Sequence, residues 1–167
     1  MNEDAVQLNI LERIKHMNYT FDERVTKILR QNGWYPDRSI NINNYRRILE
    51  ERNYYLNQGA ESFLSNIGGL IITHEAYSDI NDKDVSVFDP SKPTAWLDSA
   101  WVKECYEDII KEKLCPVGVG FSEHMIFFVS ESGGFYGGYD DYFCLIGDSV
   151  ESGLLNLFKD HNFISLN

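Results

Sequence analysis

The sequence predicts an α+β fold, in which a central antiparallel or mixed sheet is packed by N-terminal, middle and C-terminal helices. Three observations lead there. Short apolar runs at 116–121, 125–129, 135–139 and 142–146 are separated by only a few glycine or charged residues, which is the spacing of successive hairpins. Ahead of them lie segments whose apolar residues recur three or four apart, the period of an amphipathic helix. The chain has 167 residues, 43% of them hydrophobic, enough for a sizeable core, and one domain over 1–167 is expected.

In order, Val6, Ile10, Ile14 and Met17 form the stripe of a first helix over 4–17. Thr20 with Glu23 reads as a capping box opening a second, with Phe21, Val25, Ile28 and Leu29 as its buried face and Gly33 as its end. Trp34, Pro36 and Arg38 follow: proline stops helix growth, and the tryptophan and arginine read as a packing anchor and a tether to carbonyls or a carboxylate. Asn43 or Asn44 caps a third helix closed by Gly59, and a short helix spans 60–67. Gly68 and Gly69 then turn the chain into a strand over 70–73, whose unbroken apolar character suggests burial on both faces.

Periodicity fades over 74–94, where Pro90 and Pro93 indicate a loop with room for a short strand near 85–88. Asp98 or Ser99 opens a helix whose face is Trp101, Cys105 and Ile109, extended by Val102 and Tyr106. In the hairpins, Ser132, Gly133 and Gly134 suit a tight turn. Asp148 with Glu151 caps a last helix carrying Val150, Leu154, Leu157 and Phe158, despite the cost of Gly153 inside it.

The formal charge is −11, and residues 84–167 hold five Lys and Arg against fourteen Asp and Glu, with no arginine after Arg52. Such a field repels nucleic acid and attracts basic partners; it equally describes an ordinary acidic protein. Asn2, Glu3 and Asp4 give an acidic start without an apolar run behind it, and no stretch has the length of a membrane span, so a cytoplasmic protein is expected. Cys105, Cys115 and Cys144 are odd in number and lack a CxxC pair, fitting reduced core thiols.

No chemistry is advertised. His16, His74, His124 and His161 lack the paired spacing of zinc ligands, so neither metal nor cofactor is expected. Gly118-Val119-Gly120-Phe121 is no dinucleotide fingerprint, since Glu123 stands where a third glycine belongs. Asp140 and Asp141 read as a turn between strands. Tyr136, Tyr139 and Tyr142 around them offer rigid amphipathic area of the kind enriched at interfaces, or the partly buried rings of a glycine-rich sheet edge.

Gly33-Trp34-Tyr35-Pro36 with Arg38, Phe63-Leu64 leading to Ile67-Gly68-Gly69-Leu70, Cys115-Pro116-Val117-Gly118, Gly133 to Tyr136, and Gly147 before the last helix occur in this order. In this the chain from about Thr20 onward resembles the SUKH superfamily, in particular its third subfamily of bacterial immunity proteins. Two departures are Asp37, where the pattern often has glycine, and the long segment 74–93. The resemblance implies a non-catalytic cytoplasmic antitoxin that binds a cognate protein toxin, often one acting on nucleic acid. The acidic second half would then imitate the phosphate field that a basic toxin recognises. Tyr136, Tyr139, Asp140, Asp141 and Tyr142 are the expected contacts, and Gly33, Trp34, Pro36, Arg38, Gly68, Gly69, Pro116, Gly118, Gly133 and Gly147 the scaffold. The rival readings are a small-ligand or regulatory adaptor module on the same fold and, with least support, an enzyme.

Overall fold

In a computed structural model, which describes residues 19–167, the glycine-punctuated half of the chain folds into the centre of a seven-stranded antiparallel sheet. Its strands are β1 (Ile71–Glu75), β2 (Lys83–Val87), β3 (Leu114–Gly120), β4 (Met125–Ser130), β5 (Phe135–Tyr139), β6 (Tyr142–Gly147) and β7 (Ile164–Ser165). Each pairs with its neighbour in the chain, so the sheet is a meander. The four hairpin strands lie within two residues of the runs read from the sequence; β7, too short and isolated to carry a pattern, is a strand the sequence does not reveal. The helix expected over 4–17 falls outside the described residues.

Helices α1 (Glu23–Gln31), α2 (Asn43–Glu51) and α3 (Gln58–Ile67) precede the sheet, and a short α4 (Ser91–Thr94) follows β2. Then α5 runs through Ser99–Val102, widens to a π-helical turn at Lys103–Glu107 and closes over Asp108–Ile110. After β6, α6 spans Val150–Leu155 and continues as a π-helical turn, Asn156–Asp160. α3 and α6 cover one face of the sheet: Phe63 of α3 lies 5.8 Å from Phe135 in β5, and Phe135 stacks on Phe127 in β4 at 5.6 Å. α5 covers the other, where Tyr106 stacks on Phe143 at 4.5 Å and meets Phe128 edge-on.

Several caps differ from expectation, at the helix N-termini because a nearer or stronger acceptor is available. Asp22, not Thr20, caps α1: its carboxylate accepts from the Arg24 N–H at 2.9 Å and also binds the Arg24 guanidinium, and a negative charge suits a helix N-terminus. Asn41 accepts from the N–H of Asn43, which is already helical. Gly59 does not close α2. That helix ends eight residues earlier at Glu51, with Asn53 left-handed at φ 61°, and Gly59 lies in the first turn of α3, capped by Asn57. α6 is capped by a Ser149–Ser152 box, while Asp148 accepts from the Ser152 hydroxyl.

The close of α1 does follow the sequence. Gly33 takes φ 96°, and the N–H groups of Gly33 and Trp34 bond the carbonyls of Arg30 and Leu29, the geometry for which glycine has no Cβ penalty. Asp37 also turns left-handed, φ 61°, so an aspartate here adopts the conformation that glycine would take freely.

Two burial expectations are corrected. β1 alternates, with Ile71 exposed and Ile72 buried, because it is an edge strand with one face uncovered. On α5 the buried side chains are Val102 and Tyr106, whereas Trp101 and Cys105 are half-buried and Ile109 is exposed; the π-helical turn shifts the face away from a simple four-residue spacing.

Candidate partner-binding surface

At one end of the sheet the β3–β4 and β5–β6 turns stand side by side. Phe121, Ser122 and Glu123 in the first have φ of 52°, 57° and 65°, three consecutive left-handed residues without a glycine. Each such residue costs about 1–2 kcal/mol, so the surrounding packing must hold this turn in place. It delivers His124, whose Nδ1–H donates to the Phe121 carbonyl at 3.1 Å.

The second turn is a two-residue connection between paired Tyr139 and Tyr142, with Asp140 left-handed at φ 48°. Tyr106 of α5 donates its hydroxyl to the Asp140 main-chain carbonyl at 2.5 Å, tying the turn to the core. His124 and Tyr139 meet edge to face, 5.7 Å between centroids, and join the turns into a ridge.

A hollow opens on each side of that ridge, and His124 and Tyr139 line both. One, of about 500 Å³, is walled by Trp96, Trp101 and Tyr106, with Asp98, Glu123 and Asp140. The other, of about 320 Å³, is walled by Tyr77, Phe121, Met125, Tyr142 and Phe163. Trp96 is 63% exposed, Tyr77 59% and Tyr139 44%, so several large aromatic rings face solvent together. Among the described residues no Lys or Arg pairs with Asp98, Asp140 or Asp141, and Glu123 meets only Lys92, at 3.8 Å.

Of the residues singled out in the sequence, Tyr139, Asp140, Asp141 and Tyr142 come together here. Tyr136 does not. It is 9% exposed and stacks on Phe143 at 5.4 Å, because successive residues of a strand face opposite ways. Nor is 133–142 a sheet edge, since β5 lies between β4 and β6. Trp96, Tyr77, Phe121, His124 and Phe163 also line these hollows, beyond the residues the sequence singles out; the one signal is Tyr77, a large ring within 74–94 where periodicity fades.

The scaffold residues sit apart. Arg38 donates to the carbonyls of Asn66 at 2.6 Å and Gly68 at 2.8 Å, and Asn66 returns a bond to the Arg38 carbonyl and accepts from the Trp34 indole. Gly33, Pro36 and Gly69 are exposed on the turns around this knot. Pro116 and Gly118 lie in buried β3, where a Cβ on Gly118 would sit 2.2 Å from the Val87 carbonyl oxygen. Gly133 serves the β4–β5 turn and Gly147 ends β6.

Cys115 and Cys144 are core groups, and Cys105 is half-buried. Burial pushes Cys144 up to about 11 and Cys115 upward as well, the opposite of an activated nucleophile. Among the described residues no three His, Cys, Asp or Glu side chains are grouped to hold a metal ion, and no helix is long and apolar enough to cross a membrane.

No curated protein matches the chain, and no solved structure does. A family model described as SUKH-3 immunity protein matches residues 21–160. That match takes in every helix from α1 through α6 and six of the seven strands, and the chain belongs to the SUKH-3 immunity protein family.

Proposed function

We propose that this immunity protein neutralises its cognate toxin by direct protein–protein binding in the cytoplasm, without catalysis, and that the toxin is a basic protein acting on nucleic acid. The binding surface is the sheet end formed by Tyr139, Asp140, Asp141 and Tyr142, extended by Trp96 and Tyr77. The observation that supports it is the grouping of exposed aromatic rings with Asp98, Asp140 and Asp141, which no Lys or Arg among the described residues pairs. Rigid aromatic side chains dominate binding energy at interfaces, while free surface charge steers an oppositely charged partner and raises its association rate.

Co-expression with the toxin encoded beside this protein tests the reading. The native chain should restore growth and co-purify with the toxin; a Tyr139→Ala, Asp140→Asn, Asp141→Asn variant should stay folded and lose both. Persistent toxicity without a complex for the native chain overturns it. The 500 Å³ hollow favours a second reading, a small-ligand module, for which native mass spectrometry of the purified protein should show a retained molecule.

A further inference from the structure

The smaller of the two hollows has the chemistry of a cation cage. Tyr77 and Phe163 stack at 5.5 Å and 22°, and Phe121 stands edge-on to Phe163 at 6.1 Å, forming one wall. Tyr139, Tyr142, Met125 and His124 complete the lining. None of the lining residues is lysine or arginine. His161 backs the wall, edge-on to Tyr77 at 5.7 Å, with its Nδ1 buried and unpartnered. Its burial favours the neutral ring, so this wall carries no opposing charge.

We infer that this hollow receives a basic side chain, arginine or lysine, from the partner protein. Aromatic faces are negative and attract a cation most strongly where water is displaced. A long aliphatic stem suits the thioether of Met125 and the ring edges, leaving the charged head over the tyrosine faces. Charge complementarity favours a basic occupant. Glu123 and Asp140 line the larger hollow just across the His124–Tyr139 ridge, with Asp141 next in the same turn, so the field at this sheet end attracts a cation.

The inference rests on the binding reading above but is tested on the isolated protein, so its failure leaves the co-expression result standing. Protein labelled at the methionine methyl is titrated with N-acetyl-argininamide and with its neutral isostere N-acetyl-citrullinamide, following the Met125 methyl by NMR. The arginine probe should shift that resonance saturably and bind at least about fivefold more tightly than the citrulline probe, the scale of one cation–π contact. Tyr139→Leu and Phe163→Leu should each weaken it by about threefold to tenfold. Tyr35→Leu removes an equally exposed ring away from the hollow and should change nothing. Equal binding of the two probes, no saturable shift, or arginine binding indifferent to Tyr139→Leu in a variant with an otherwise native spectrum each overturns the inference.

Discussion

Gly147 and Gly153 meet back to back where β6 passes into α6. A Cβ on Gly147 would lie 2.3 Å from the Gly153 nitrogen, and a Cβ on Gly153 would lie 2.6 Å from the Cβ of Phe135. Two opposing effects then act on Gly153→Ala. Alanine favours the helix by about 1 kcal/mol, whereas overpacking a core costs about 1–3 kcal/mol. The obstructing atom is a Cβ, fixed to the backbone of a central strand, so the upper end of that range applies. Gly153→Ala is expected to destabilise by about 2 kcal/mol net, read as a lower midpoint of urea unfolding; a raised midpoint would contradict this close approach.

Arg38 organises the junction between the first three helices and the sheet. Its two nitrogens serve two main-chain carbonyls, Asn66 and Gly68, at the joint where α3 gives way to β1. Arg38→Met removes both donors and leaves the carbonyls with water at best, which is expected to cost about 2–3 kcal/mol. Arg38→Lys should recover less than half of that, because an ammonium is a point donor and cannot reproduce the fork. Urea unfolding of the two variants checks it; equal stability of lysine and arginine forms would refute the bidentate role.

Tyr106 links that core to the ridge. Tyr106→Phe keeps the stacking on Phe143 and deletes only the bond to the Asp140 carbonyl. The loss should be about 1 kcal/mol of global stability, with faster amide hydrogen exchange confined to the β5–β6 turn. If exchange there is unchanged, the hydroxyl does not hold the turn.

How far the sequence reached depended on the range of each signal. The hairpin strands were legible because short apolar runs and turn glycines are local signals, and Gly33 because a left-handed helix end leaves few choices of residue. Caps were misplaced by one or two residues where two acceptors compete: Thr20 against Asp22, Asp148 against Ser149. The α5 face was misread because a π-helical turn has no sequence period of its own. At the candidate surface, the β5–β6 turn residues were visible as a cluster, but Tyr77, Phe121 and Phe163 are joined only by the fold. Tyr136 looked equivalent to Tyr139 in composition, and three positions along the same strand put them on opposite faces.

Buried histidine should give the protein an acid-sensitive stability. In β1, His74 has its Nδ1 2.8 Å from the Glu75 carbonyl and its Nε2 2.8 Å from the Ser86 hydroxyl. A carbonyl only accepts, so Nδ1 carries the proton and Nε2 accepts from serine. Burial against Phe158 holds the ring below its ordinary 6.5; neighbouring Glu75 and Asp84 favour the charged form and His161 opposes it, but burial outweighs them. As pH falls below about 6.5, the unfolded chain therefore takes up a proton that the folded chain refuses, and stability falls with it. His161, also held low by burial, adds to the same window. A second loss begins lower, below 4.5, where the Glu75 carboxylate, held down chiefly by its bond to Lys159 at 2.8 Å, must be protonated. The urea midpoint is expected to be flat between pH 7 and 8 and to drop between pH 6.5 and 5, with a shallower drop in His74→Gln, which cannot titrate. A native profile that stays level down to pH 5 would mean that the ring is charged within the folded protein.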